Sequence, residues 1–143
     1  MIAMLRILAI ATLVALSQTA LADPAPTKDE WTEIKRIIAS QREALVNGDG
    51  ERAFSFAAPS IRRQFGDVET FMRMVQQGYA ALLDARYVEF LEGAVIGGEI
   101  VQPLRLVLPD GTVMVAIYGL QRQESGAWRI SSCVIAPSTV RSA

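Results

Sequence analysis

Apolar residues recur at helical spacing between residues 27 and 46. At about 100° per residue, one stripe of a helix carries six of them: Trp31, Ile34, Ile37, Ile38, Ala44 and Leu45. The segment begins with Thr27 and Glu30, spaced as in a capping box, and ends at Asn47-Gly48, a common C-terminal signal. These features predict a helix from Thr27 to about Val46. Gln41 is a polar side chain in the middle of its apolar stripe.

Two further helical segments follow the first one. Asp49 is placed to cap "GERAFSFAA", which Pro59 ends. The next stretch, "SIRRQFG", is compatible with a helical turn or with a brief strand. Asp67 then caps "VETFMRMVQQGYAALL", in which Gly78 either ends the helix or loosens it. Six apolar residues of this stretch share a face: Val68, Phe71, Met72, Val75, Tyr79 and Leu82.

From Ala85 onward the pattern changes from helical spacing to alternation. Stretches rich in β-branched and aromatic residues predict four strands: "ARYVEFLEGAVI", "EIVQPLRLVL", "GTVMVAIYGLQRQ" and "AWRISSCVIA". The turns at Gly97-Gly98, Pro109–Gly111 and Ser125-Gly126 are short enough to join neighbouring antiparallel strands. Pro103 has no N–H for a ladder, so we expect it at an edge or a bulge.

Helices followed by an antiparallel meander predict an α+β fold. In this fold, N-terminal helices pack on a curved four-stranded, or slightly larger, antiparallel sheet. A curved sheet that closes over a long helix leaves a conical space between the two. That space is a pocket unless side chains fill it.

The first 22 residues have the features of a cleaved signal peptide. Arg6 precedes the apolar run "ILAIATLVAL", and Ala-Leu-Ala at residues 20–22 offers a cleavage site. A retained N-terminal anchor is the alternative, although the run is short for a membrane span. The predicted organisation is therefore a signal peptide over 1–22, a linker over 23–27 and a single α+β domain over 28–143. We expect the protein to be exported, to the periplasm or outside the cell, with no membrane span after cleavage.

Charge and residue counts narrow the function further. The formal net charge is −1 at pH 7 and the sequence contains no basic stripe, so no nucleic-acid partner is expected. The sequence also contains no histidine. This count removes Ser-His-Asp and Cys-His nucleophile pairs and the usual zinc sites. We therefore expect no metal and no cofactor, and no catalytic residue is assigned.

Cys133 is the only cysteine, so no intramolecular disulfide supports the fold. An exported lone thiol is compatible with a buried inert side chain, an intermolecular disulfide or a reactive thiolate. Its strand context favours burial. Strict alternation places Cys133 on one face with Arg129 and Ser131, and places Trp128 and Ile130 on the other face.

Five polar or amphipathic side chains are candidates for ligand binding in the conical space: Gln41, Tyr79, Gln102, Tyr118 and Arg129. Gln41 and Gln102 place amides on apolar faces, where a buried amide must find partners. A structural role is the alternative for each glutamine, core packing for each tyrosine, and a solvated face for Arg129. Glu89 is the best-placed carboxylate for acid–base chemistry, although a glutamate that alternates with apolar residues ordinarily marks the wet face of a strand.

Several segments carry a resemblance to a known family: "RIIASQREAL", "AFSFAAPSIRRQFG", "FMRMVQQGY", "VQPLRL", "AIYGLQRQ" and "GAWRISSCVI". Together they resemble a family of exported bacterial proteins known as domain-of-unknown-function 4864, within the nuclear transport factor 2-like superfamily. The resemblance implies a cone-shaped α+β fold with a pocket between sheet and helices, and it implies no particular reaction. Superfamily relatives include isomerases, dehydratases and binding modules, and the enzymes commonly place a histidine, or an aspartate with a tyrosine, inside the cone.

The sequence therefore favours a non-enzymatic module that binds a small apolar or amphipathic ligand, or a protein partner, in the cone. One alternative is an isomerase- or dehydratase-like enzyme that uses a pocket carboxylate and a tyrosine. The other is a structural protein whose cone is filled by side chains and whose outer sheet face forms a homodimer.

Overall fold

A computed structural model describes residues 24–138 of the chain. The signal peptide predicted over residues 1–22 lies outside the described residues. Five helices come first: α1 Lys28–Val46, α2 Gly50–Ser55, α3 Pro59–Phe65, α4 Val68–Gly78 and α5 Ala80–Asp84. Five strands follow: β1 Tyr87–Phe90, β2 Ala94–Ile96, β3 Glu99–Val107, β4 Val113–Arg122 and β5 Trp128–Pro137. The prediction of an α+β fold with an antiparallel sheet is confirmed.

The start and the end of α1 are those the sequence predicts. The Thr27 hydroxyl accepts a bond from the backbone N–H of Glu30, and the Glu30 carboxylate accepts one from the backbone N–H of Thr27. Both bonds satisfy N–H groups that the first helical turn leaves unpaired. Asn47 caps the other end, and Gly48 follows with a φ of 72°. The apolar stripe is buried except for Trp31, which is partly buried, and Gln41 is buried with it.

The structure assigns the segment between α1 and the sheet, where the sequence left the secondary structure open. α2 ends at Ser55, earlier than predicted. "SIRRQFG" belongs to α3, with Pro59 in its first turn, where the missing N–H costs nothing. Asp67 caps α4 as predicted, and Gly78 does end that helix. Arg42 of α1 then ties α5 in place by donating to the carbonyls of Leu82, at 2.9 Å, and Ala85, at 2.8 Å.

The first predicted strand is divided in two, so the sheet has five strands and not four. β1 and β2 both pair with β3, in the order β1-β3-β4-β5 with β2 beside β3. The break between them holds Gly93, which lies against the ring of Trp31. A Cβ atom at this glycine would lie within 3.0 Å of three atoms of that ring. The strand is therefore interrupted where Trp31 of α1 packs against it.

Pro103 lies in β3 opposite this break and not on an edge strand. The backbone N–H of Leu91 donates to the carbonyl of Pro103 at 3.1 Å. In an antiparallel ladder the opposite residue would return that bond, but proline has no N–H to give. The side chain of Gln102 replaces it, because its Nε2 donates to the carbonyl of Leu91 at 2.8 Å. The irregularity expected at Pro103 is thus repaired by its neighbour.

A β-bulge corrects the predicted faces of β5. Leu120 pairs with Ile130, but the preceding Gly119 pairs with Ser132, so β5 holds one extra residue. Cys133 therefore pairs with Tyr118 and packs against the same core as Trp128 and Ile130. Simple alternation placed Cys133 beside Arg129 and Ser131, and that was wrong because a bulge reverses the alternation after it.

The core forms two connected clusters of buried apolar side chains. The larger one lies between α1 and the inner face of the sheet, and includes Ile34, Ile38, Leu104 and Leu106. The smaller one lies among α1, α2 and α4 and includes Phe54 and Phe71, whose ring centroids are 5.0 Å apart. Tyr79 packs against both clusters. A cavity lies where the two clusters meet.

Candidate functional site

A cavity of about 250 Å³ lies where α1, α3, α4 and α5 meet β5, and it is partly open to solvent. Its walls are mainly apolar side chains: Leu45, Ile61, Phe65, Phe71, Met74, Val75, Leu82 and Ile130. Gln41, Gln64, Tyr79, Tyr118, Ser131, Ser132 and Cys133 supply polar atoms. Among the described residues, none that lines this cavity is an acid, a lysine or an arginine. The cavity can therefore take an apolar or neutral group, while an ion there would lack a countercharge.

Gln41 enters the cavity wall from the middle of α1. Only 5% of the residue is exposed, and its Nε2 donates to the carbonyl of Ala53 in α2 at 3.2 Å. This bond fixes which end of the amide is nitrogen, because the reverse orientation would place two oxygens together. No donor within residues 24–138 contacts Oε1 of Gln41. One half of the amide therefore joins two helices, and the other half is open.

Tyr79 lies at the junction of α4 and α5 and spans the cavity to the sheet. Its hydroxyl donates to the backbone carbonyl of Cys133 at 2.8 Å. Burial, with a smaller contribution from the neighbouring thiol of Cys133, raises the pKa of Tyr79 above its usual range. The hydroxyl is therefore a protonated, occupied donor that holds β5 to the helices.

Tyr118 projects from β4 into the inner side of the same cavity. The residue is 1% exposed, and its hydroxyl has no hydrogen-bond partner within the described part of the chain. The hydroxyl is adjacent to the thiol of Cys133 without forming a hydrogen bond of ordinary geometry. Burial raises the pKa of Tyr118 well above its usual range. The cavity thus contains a neutral phenol that is free to donate and to accept.

Cys133 lines the cavity as a protonated thiol. Burial is the main cause that raises its pKa to about 12, and the neighbouring Tyr118 hydroxyl opposes this only in part. A thiol becomes nucleophilic as the thiolate, which this environment disfavours. Of the three possibilities left open by the sequence, the surroundings of Cys133 therefore favour a buried, unreactive side chain.

Two of the candidate residues do not line this cavity. Gln102 is fully buried against the break between β1 and β2, where it borders a separate groove beside Trp31. Its amide nitrogen serves the backbone of Leu91 and Pro103. Arg129 lies on the outer face of β5, opposite Gln121, and its Nη1 donates to the carbonyl of Trp128 at 3.0 Å. The structure brings together Gln41, Tyr79 and Tyr118 alone of the five.

Glu89, the carboxylate considered for acid–base chemistry, points away from the cavity. It pairs with Arg105 across β1 and β3 on the outer face, with 3.6 Å between Oε2 and the arginine Nη1. Two thirds of its side chain is exposed. In residues 24–138, no group of three or more acidic, cysteine or histidine side chains lies close enough to hold a metal ion.

α3 and the bulge in β5 contribute cavity residues that were not predicted from the sequence. Ile61 and Phe65, four residues apart after Pro59, line the cavity from one face of α3. That spacing after a proline is itself a helical signal. Ser131 and Ser132 line the cavity because of the bulge in β5. In the sequence, the sign of this bulge is Gly119, which lies opposite the two serines.

No helix in the described part of the chain is long and apolar enough to cross a membrane.

The chain matches a model of a protein family. A family model described as "Domain of unknown function (DUF4864)" matches residues 27–143, which is most of the chain. No curated protein and no solved structure matches the chain.

Proposed function

The chain belongs to the family described as Domain of unknown function (DUF4864), and we propose that it is a non-enzymatic module that binds a small, largely apolar ligand in the cavity beneath α3. The observation that carries this proposal is the cavity itself, about 250 Å³ in volume, with apolar walls and no charged residue among the described residues that line it. Pockets of this composition, with a few placed polar groups, are typical of small-molecule sites.

The chemistry of the walls favours binding over catalysis. Acid–base catalysis needs a group whose pKa lies near the working pH. The titratable groups on this cavity are Tyr79, Tyr118 and Cys133, and burial raises the pKa of all three, which keeps them protonated at neutral pH. None of the three is suited to removing a proton from a bound molecule, and the unbonded hydroxyl of Tyr118 is suited to hydrogen bonding with one.

The size of the cavity limits the ligand. A cavity of about 150 Å³ holds a benzene ring, so 250 Å³ corresponds to about ten non-hydrogen atoms, or to one end of a longer chain that leaves through the open side. One wall of the cavity comes from α3, in which no residue is fully buried. A short helix with this little burial can shift to admit a ligand at small cost.

The test is ligand retention. The protein is purified natively, extracted with organic solvent and examined by mass spectrometry for small molecules. Leu82→Trp, which fills the cavity from α5, is the matched variant, and its melting curve checks that it folds. We expect a molecule in the wild-type extract that is absent from the Leu82→Trp extract. A wild-type protein that retains nothing, and whose melting temperature no apolar probe raises, overturns the proposal.

The outer face of the sheet supports a second proposal, a homodimer. Ile117 on β4 and Val134 on β5 are neighbours there and are 39% and 59% exposed. Adjacent exposed aliphatic side chains on a sheet are typical of a surface that another molecule covers. Sedimentation of the wild type against Ile117→Lys tests it: a dimer that becomes a monomer supports the homodimer, and a wild-type monomer at high concentration rejects it.

We also propose that this α+β arrangement is a nuclear transport factor 2-like cone and that the protein is exported. The long helix packed across the inner face of an antiparallel sheet supports the first proposal. The apolar run and the Ala-Leu-Ala site in residues 1–22 support the second. Mass spectrometry of the protein from its native host tests the export, because cleavage leaves an N-terminus at Asp23.

A further inference from the structure

We infer that the cavity selects a ligand whose polar end is an uncharged hydroxyl group, held by the Tyr118 hydroxyl and by Oε1 of Gln41. This inference rests on the proposed function and adds the chemistry of the ligand's head. It begins from two polar groups that border one cavity and have open hydrogen-bonding capacity.

Tyr118 is the first of these groups. A fully buried hydroxyl without a partner is rare in folded proteins, and each such group calls for an explanation. The neighbouring polar groups do not provide one, because the Tyr79 hydroxyl is bonded to the Cys133 carbonyl and the Cys133 thiol makes no bond of ordinary geometry with Tyr118. A bound molecule that presents an oxygen would satisfy the hydroxyl.

Gln41 is the second group, and it restricts which oxygen fits. Its Nε2 is bonded to Ala53, so the end that remains is an acceptor, and a ligand group that bonds to it must be a donor. A hydroxyl can accept from Tyr118 and donate to Gln41. An ether or a ketone accepts but cannot donate. A carboxylate also cannot donate, and none of the described residues that line the cavity carries a positive charge to offset its burial.

Three probes of nearly equal size separate these possibilities: 1-octanol, heptyl methyl ether and octanoate. Their affinities for the natively purified protein are measured by calorimetry at pH 7.5. The hydroxyl of octanol makes one bond that the ether cannot make, and one hydrogen bond is worth a fivefold to tenfold difference in affinity, on the order of 1 kcal/mol. We therefore expect octanol to bind at least about fivefold more tightly than the ether, with octanoate weakest.

Tyr118→Phe and Tyr79→Phe are the matched variants. Tyr118→Phe removes the open hydroxyl, so octanol should lose about fivefold to tenfold in affinity. Tyr79→Phe removes a hydroxyl that is already bonded to the protein, so the preference for octanol should persist. Melting curves check the fold of both.

The outcomes separate the inference from the proposed function. An ether or an octanoate that binds the wild type as tightly as octanol overturns the inference about the head group, while the proposal of an apolar site stands. An undiminished affinity of octanol for Tyr118→Phe also overturns it. Failure of all three probes to bind, together with an empty native extract, overturns the proposed function and the inference with it.

Discussion

Removal of the Tyr118 hydroxyl should stabilise the ligand-free protein, which is unusual for a substitution in a core. The hydroxyl is buried in β4 against the cavity and has no partner among the described residues. A buried polar group without a bond carries a desolvation cost of about 1–3 kcal/mol. Tyr118→Phe removes that cost and keeps the ring, so most of the packing is retained. Part of the gain is offset by contacts that the oxygen makes with the wall, and the net expectation is a gain of about 1 kcal/mol.

Tyr79→Phe is the control for this prediction. The two tyrosines border the same cavity, but the Tyr79 hydroxyl bonds the carbonyl of Cys133 at 2.8 Å. Loss of that bond should lower the free energy of unfolding by about 1 kcal/mol. The two Tyr→Phe changes should therefore act in opposite directions, although they are chemically identical.

Urea unfolding followed by the fluorescence of Trp31 and Trp128 measures both variants. The slope of the transition should stay that of the wild type, so that the midpoints report stability. If Tyr118→Phe lowers the free energy of unfolding by 1 kcal/mol or more, the hydroxyl is bonded in the free protein. The hydroxyl is then not kept open for a ligand.

Three further predictions follow from single features of the structure. Gly93→Ala should destabilise the protein by about 1–3 kcal/mol, because the new Cβ would overlap the indole ring of Trp31. Gly78→Ala is the control and should be neutral or slightly stabilising, because nothing lies within 4 Å of its Cβ position. Equal urea midpoints for the two variants would contradict this prediction. With its pKa near 12, the Cys133 thiol is ionised in roughly one molecule in 10,000 at pH 8, so a disulfide reagent should label it far more slowly in the native than in the urea-unfolded protein. Complete native labelling within a minute would disprove it. The carboxylates of Glu30 and Asp67 each accept a hydrogen bond from a backbone N–H, which is the main cause that holds their pKa below the usual range. Each carboxylate therefore stabilises the fold when it is ionised, and this stabilisation is lost as the pH falls through its folded pKa. In a chain without histidine, stability should therefore be level from about pH 6 to 8 and fall below about pH 4, and a change between pH 6 and 8 would contradict the reasoning.

The helices could be predicted from the sequence because their signals are local. The starts of α1, α2 and α4 were predicted from capping residues: Thr27 with Glu30, then Asp49, then Asp67. In the structure, each cap accepts a hydrogen bond from a backbone N–H in the first turn of its helix. The burial of Gln41 follows in the same way from its place in a regular 3.6-residue period. α3 was left open because its helical signal, the spacing of Ile61 and Phe65 after Pro59, is confined to seven residues.

The sheet was less predictable because its irregularities depend on other elements. The break at Gly93 exists where Trp31 of α1 packs, and no signal within the strand itself requires it. The bulge in β5 reverses the faces after Ile130, which moves Cys133 into the cavity wall. Of the two candidate residues that do not line the cavity, Gln102 was selected because it alternates with apolar residues of its strand, and Arg129 was selected as an arginine on a strand. Alternation predicts which face of the sheet a side chain lies on, but it does not predict which region of the inner face the side chain reaches.

The bond from Gln102 to the carbonyl of Leu91 makes two adjacent positions interdependent. Because Pro103 has no N–H, the carbonyl of Leu91 lacks its backbone donor. The side chain of Gln102, one residue earlier, is long enough to supply a donor instead. A change of Gln102 alone leaves that carbonyl unpaired, whereas Pro103→Val supplies the missing N–H and frees the amide. In any redesign of this sheet, the glutamine and the proline therefore have to be kept or exchanged together.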